Sequence, residues 1–254
     1  MMSQVTTGYA PVNGLKMYFE VHGAGRPLVL LHGGLLTIDL SFGNLLPDLV
    51  LSRQVIATEL QGHGRTGDIE RDIELRSLAG DVAALLDHLG VEQADVFGFS
   101  LGGGVALQLA LDHPARVGRL IVASVSYARD GFHPEILDPA LQATSTRMPT
   151  ADDFREMREA YVRLAPDPDY FDAFAAKTSR AAGNLKDWSA EELGSIAAPT
   201  LLVFGDHDFF RLEHAVAMHA LIPGAQLAVL PGTTHMGVTR RADLMLPLLG
   251  GFLG

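Results

Sequence analysis

The chain has 254 residues, a net charge of −11 and 48% hydrophobic residues. That composition suits one large α/β domain or two small ones and excludes a disordered chain. The acidic balance argues against a nucleic-acid partner, and the absence of cysteine excludes disulfides, thiolate catalysis and zinc–thiolate sites. Met1 to Thr7 carries no basic segment leading into an apolar core, so no secretory leader is expected. The most apolar runs, residues 27–31 and 244–249, are too short to cross a bilayer, so a cytoplasmic protein without membrane insertion is expected.

In chain order, residues 9–22 read as two short strands joined by Asn13-Gly14, a strong hairpin turn. Residues 27–31 are a continuous apolar run, as in a strand buried on both faces, and residues 54–58 form another strand. Leu78, Val82, Leu85, Leu86 and Leu89 recur at helical spacing, predicting a helix over 75–89 with Gly90 closing it. A strand over 94–97, a helix reaching Asp112 and a strand over 120–123 follow. The pattern resumes with a strand at 200–204, a helix at 212–221, a strand at 226–230 and a helix at about 240–252. This alternation predicts an α/β fold with a mostly parallel central sheet and helices on both faces.

Between Ser126 and Pro199 the alternation breaks. Phe154, Met157, Tyr161 and Leu164 share a helix face, and Tyr170, Phe171 and Phe174 suggest a second helix. Residues 126–198 are therefore expected to form a small helical cap on a core built from 1–125 and 199–254. A cap inserted after a strand would cover the C-terminal sheet edge, where open α/β sheets bind ligands.

The stretch Gly98-Phe99-Ser100-Leu101-Gly102 lies between an expected strand and an expected helix, the setting of a nucleophile elbow. Glycines on either side let strand and helix approach closely, and the hydroxyl stands above a helix N-terminus. A serine hydroxyl needs a base within hydrogen-bond reach and a group to orient that base. Asp206 and Asp208 follow the strand ending at Phe204, and His235 follows the strand ending at Leu230, so Ser, Asp and His meet at one rim in that chain order.

With Leu31-His32-Gly33-Gly34 after an early strand, these motifs resemble the α/β-hydrolase fold superfamily over essentially the whole chain. The resemblance implies Ser100 as nucleophile, His235 as general base and then acid, and Asp208 as the orienting acid, with Asp206 as the alternative and Asp130 a remote one. It implies an oxyanion hole from the backbone N–H groups of Leu101 and Gly34, with Leu35 as the alternative to Gly34. His32 and His63 read as loop braces, and His207 as a rival base poorly placed beside Asp208. The run Gly102-Gly103-Gly104 reads as helix–strand packing, since no Lys-Ser/Thr follows it. No tight His and carboxylate spacing suggests a metal, and no cofactor is expected.

A serine at the elbow, where epoxide hydrolases and haloalkane dehalogenases of this fold carry a carboxylate, implies acyl transfer. The leading expectation is a carboxylesterase-like enzyme acting on small or medium esters or lactones. The local sequence also resembles cofactor-free perhydrolases, enol-lactonases and carbon–carbon bond hydrolases. A ligand receptor with slow turnover is the reading from another class. Arg129, Arg147, Arg155, Arg158, Arg163 and Arg180 are the candidates to grip a substrate carboxylate. A small-molecule partner is expected, and a homo-oligomer stays open.

Overall fold

Apolar runs with alternating inward positions build the sheet. The computed structural model describes residues 5–183 and 187–254, so Met1 to Gln4 of the stretch read for a leader lie outside the described residues. The strands are β1 (Thr6–Val12), β2 (Leu15–His22), β3 (Arg26–Leu31), β4 (Arg53–Thr58), β5 (Ala94–Phe99), β6 (Val117–Ala123), β7 (Thr200–His207) and β8 (Gln226–Thr234). They form one sheet in the order β1-β2-β4-β3-β5-β6-β7-β8. β1 and β2 pair antiparallel around Asn13 and Gly14, both at positive φ, which suits a primed hairpin turn. β2 pairs antiparallel with β4, and every later pairing is parallel.

The central strands are buried on both faces because successive side chains point opposite ways. In β3, Val29 and Leu31 join one core cluster, while Leu28 and Leu30 join the other. In β5, Val96 faces the first cluster and Phe97 and Phe99 face the second. Helices α1 (Leu75–His88) and α2 (Leu101–Asp112) cover the first face, with Leu78, Val82, Leu85, Val105 and Leu109 turned inward. Short helical turns at Ile38–Phe42 and Leu46–Leu49 and the C-terminal helix Ala242–Leu253 cover the second. Each such side chain contributes about 1.5–3 kcal/mol by leaving water.

Three boundaries at the site differ from the sequence reading, for local reasons. β7 runs on from Phe204 to His207, because Gly205 and His207 still pair with β8, so Asp206 lies within the strand rather than after it. β5 runs on through Gly98 and Phe99, because both remain paired with β6, so Ser100 leaves the strand without an intervening loop. β8 runs on to Thr234, because Thr234 still pairs with His207, so His235 comes directly off a strand end.

Between β6 and β7 the described chain is helical. It holds short turns at Pro134–Leu137 and Pro139–Gln142, then α3 (Ala151–Leu164), α4 (Phe171–Gly183) and a turn at Ala190–Gly194. A capping box starts α3: Thr150 accepts from Asp153 N–H, and Asp153 accepts from Thr150 N–H. Met157 and Tyr161 are buried, and Tyr161 stacks on Phe174 of α4. Phe174 packs against Gly62, where an added Cβ would sit 2.1 Å from its ring. Ion pairs fasten these helices to the sheet loops: Lys177 to Asp68 at 2.7 Å, and Arg240 to Asp153 at 2.6 Å and Glu156 at 3.3 Å.

Candidate active site

The turn from β5 into α2 is tight enough to force an unusual backbone. Ser100 has φ 53° and ψ −117°, a region that costs a side-chain-bearing residue about 1–3 kcal/mol. The glycines on either side make the turn feasible. A Cβ on Gly98 would lie 2.1 Å from the Gly102 carbonyl oxygen, and one on Gly102 would lie 2.0 Å from the Leu31 carbonyl oxygen. Main-chain bonds lock the turn: Ser100 N–H donates to Ala123 O at 2.9 Å, and Gly102 N–H donates to His32 O at 3.0 Å.

Three strand ends bring Ser100, His235 and Asp208 together. His235 Nε2 lies 2.9 Å from Ser100 Oγ, and His235 Nδ1 lies 2.6 Å from Asp208 Oδ1. Asp208 is fully buried. Burial pushes its carboxyl up, but the attraction of His235 and hydrogen bonds from His235, Ser124 and Gly205 N–H outweigh that, so it sits below the ordinary carboxylate range. An ionised carboxylate only accepts, so Nδ1 of His235 carries the proton and Nε2 is left to accept from the serine hydroxyl.

The other candidates fall elsewhere. Asp206 accepts from Gly232 N–H at 2.9 Å and Thr233 N–H at 2.8 Å, pinning the strand that leads to His235. Those two N–H groups hold its carboxyl below the usual range. The His207 side chain points outward, 58% exposed. Asp130 is on the surface beside His214, 3.5 Å away.

Gly34 and Leu101 face each other across the mouth of the turn. A Cβ on Gly34 would come within 3.9 Å of the Leu101 Cβ. Leu101 opens α2, and the first N–H groups of a helix have no intrahelical acceptor. Leu35 takes φ 60°, which bends the loop back after Gly34. His32 braces that loop: Leu60 N–H donates to its Nε2 at 3.0 Å, and its Nδ1 meets Gly33 O at 2.8 Å. A backbone N–H can only donate and a carbonyl only accept, so His32 is the neutral Nδ1–H tautomer. Burial drives its pKa down to about 4. His63 packs against His32 and Phe174, and burial lowers it as well.

A cavity of about 770 Å³ opens over Ser100, within the range for small-molecule sites. Its floor is Ser100, Leu101, Gly34 and His235, and its roof comes from the helices between β6 and β7. Phe132, Ile136, Phe154, Met157, Phe210 and Met236 make one flank apolar. The cations along it are occupied or peripheral. Lys177 is held by Asp68, Arg76 lies 3.3 Å from Asp112, and Arg180 is exposed at the rim. Of the arginines that sequence reading offered for a carboxylate, Arg180 alone lines the cavity. Among the described residues no group of three or more His, Asp or Glu side chains is placed to hold a metal ion, and no helix is long and apolar enough to cross a membrane.

Three neighbours of the site were not singled out from sequence. Ser124, at φ 57° after β6, donates to Asp208 Oδ2 at 2.5 Å. Phe209 stacks on the His235 ring with centroids 3.8 Å apart and planes 8° from parallel. Trp188 Nε1–H donates to Gln108 Oε1 at 3.1 Å in the cavity wall. Only the position of Phe209 beside Asp208 offered a signal, because the residue next to an aspartate that meets His235 stands near that ring.

Known proteins resemble the chain in sequence and in fold. The chain is 31% identical, over 94% of its own length and 91% of the relative's, to a 2-hydroxymuconate semialdehyde hydrolase of Pseudomonas sp. strain CF600. Its fold superposes on the enol-lactonase of Burkholderia xenovorans LB400 with a TM-score of 0.77 at 22% identity, covering 96% of this chain and 99% of that one. It superposes on the N-acyl homoserine lactone degrading enzyme Est816 with a TM-score of 0.73 at 27% identity, covering 97% and 100%. The model of the alpha/beta hydrolase fold matches residues 26–239, from β3 through the loop beyond His235, and the chain belongs to that family.

Proposed function

We propose that this protein is a serine hydrolase that cleaves neutral carboxylic esters or lactones through an acyl-enzyme on Ser100. The single observation that carries the reading is the unbroken relay from Ser100 Oγ through His235 to a buried, ionised Asp208. Ser100 Oγ attacks the carbonyl carbon while His235 Nε2 takes its proton. The carbonyl oxygen becomes an oxyanion between the N–H groups of Leu101 and Gly34, each worth about 3–4 kcal/mol to the transition state. The C–O bond then breaks, and the proton on His235 passes to the leaving alkoxide. Water, deprotonated by the same imidazole, attacks the acyl-enzyme and releases the acid. Residues 126–198 act as a cap that shapes the cavity and excludes solvent.

Neutral substrates are favoured because the buried cation of the cavity is already neutralised, Lys177 by Asp68. A dienoate that buried its carboxylate beside that pair would meet no unpaired cation there, Arg180 standing only at the exposed rim, at a cost of several kcal/mol. A carbon–carbon bond hydrolase is the second reading, supported by the 31% identity to a semialdehyde hydrolase. The test is a fluorophosphonate label and a chain-length series of p-nitrophenyl esters, run beside lactones, ring-cleavage dienoates and a peracid assay, each with Ser100→Ala. Ester turnover that vanishes in Ser100→Ala is expected. Dienoate turnover exceeding ester turnover would assign the second reading, dominant peracid formation would assign a perhydrolase, and a wild type no faster than Ser100→Ala would leave a ligand receptor.

A further inference from the structure

We infer that Arg147, in the cap, is a positioning residue for the Asp208–His235 pair, an inference that rests on the serine-hydrolase reading. Its guanidinium crosses from the segment before α3 and donates from Nη1 to the main-chain carbonyl of Asp208 at 2.8 Å. Its Nε–H donates to Glu135 Oε1 at 3.2 Å, which fixes the fork. The carboxylate of Asp208 takes its other bonds from the core and from its own loop, through Ser124, Gly205 N–H, Phe209 N–H and His235. Arg147 is the side chain that holds the acid's backbone from the cap side.

The same stretch of cap grips the next residues of the acid loop. Phe132 and Phe210 form an antiparallel bridge, His133 N–H donates to Phe209 O at 2.9 Å, and Arg211 N–H donates to Gly131 O at 2.7 Å. Phe209 in turn stacks on the His235 ring. The cap therefore clamps the main chain of both Asp208, whose carboxylate orients the imidazole, and Phe209, whose ring lies against it. If the clamp loosens, Asp208 and Phe209 shift together and the imidazole loses its aim at Ser100, where small misplacements are costly in rate.

The experiment measures the rate at which a fluorophosphonate labels Ser100 between about pH 5 and pH 9, which follows the relay without a cognate substrate. Arg147→Met is expected to slow labelling about tenfold or more per folded molecule. Arg147→Lys keeps a donor for the Asp208 carbonyl and recovers most of the rate. Glu135→Gln loosens the fork of Arg147 and slows labelling by a smaller factor, about threefold. Labelling of Arg147→Met at the wild-type rate per folded molecule overturns the inference, whatever its melting temperature. If Arg147→Met does not fold, a wild-type labelling rate in Glu135→Gln overturns it instead. A wild type that is not labelled at all removes the hydrolase reading itself, which is a distinguishable failure.

Discussion

The sheet edge and the helices above it are held by different forces. Ser100, Asp208 and His235 stand on main chain that cannot move without breaking the sheet: the elbow glycines press on carbonyl oxygens, and β5 and β8 remain paired up to the reacting residues. The segment between β6 and β7 is fastened by main-chain bonds only near Gly131 and His133, and elsewhere by side chains such as Phe174 on Gly62, Lys177 on Asp68, Arg240 on Asp153 and Arg147 on the acid loop. Such side-chain contacts can be removed one at a time. The groups proposed to react are thus built into the rigid layer, while the shape of the cavity is set by a layer that sequence change can remodel cheaply.

If that division is right, the largest losses come from the rigid layer. Ser100→Ala is expected to abolish fluorophosphonate labelling and to lower ester turnover by about 10⁴-fold or more with the fold intact, read by steady-state kinetics and circular dichroism. Asp208→Asn leaves the shape but favours the wrong imidazole tautomer, and a loss of about 10³–10⁴-fold in kcat is expected. Asp206→Asn serves as its counterpart and should cost less than tenfold, because Asp206 only pins two N–H groups near the surface. Equal losses in the two variants would erase the assignment of Asp208.

The upper layer should respond in stability and selectivity rather than in chemistry. Lys177→Met leaves Asp68 without its cation, in a pair whose side chains are 12% and 8% exposed. A destabilisation of about 3–5 kcal/mol is expected from urea melts, with a changed ester chain-length profile. The labelling rate of Ser100 per folded molecule should stay near wild type. A labelling rate that falls with stability would join the two layers into one.

The last expected effect needs no substitution: a pH dependence of stability from the buried histidines below the elbow. His32 titrates at about 4 in the folded chain, from an ordinary value of 6.5, because burial disfavours its charged form. Between those values the unfolded chain takes up a proton that the folded one refuses, so stability falls as pH drops from 6.5 towards 4. The full loss from His32 is about 3 kcal/mol, and His63 adds in the same direction. Glu59, raised by burial, opposes part of it. Urea midpoints that stay level across this window would contradict the buried, neutral pair.

Most of the lower layer was legible because its physics is local or periodic. Residues 27–31 had to be buried on both faces, since every side chain is apolar, and the glycines flanking Ser100 announced a turn that only they permit. Asp208 and His235 were legible by their place after strands. The bounds of β5 and β8 were not, because Gly98, Pro231 and Gly232 interrupt the strand propensity, and the strands continue past them to Phe99 and Thr234 by pairing with neighbours.

By itself the sequence determined the alternation that makes a parallel sheet, the strained turn at Ser100 and the order in which Ser, Asp and His reach one rim. It could do so because period, glycine placement and chain order are properties of the chain alone. Only the tertiary structure decided that Asp208 rather than Asp206 meets His235, since both leave the same strand and differ only in which way they point. It alone set Ser124 and Phe209 against the relay and brought Arg147 to the carbonyl of Asp208, 61 residues further along the chain. Those contacts join residues far apart in sequence, and their geometry is fixed by how the two layers pack, which no local pattern encodes.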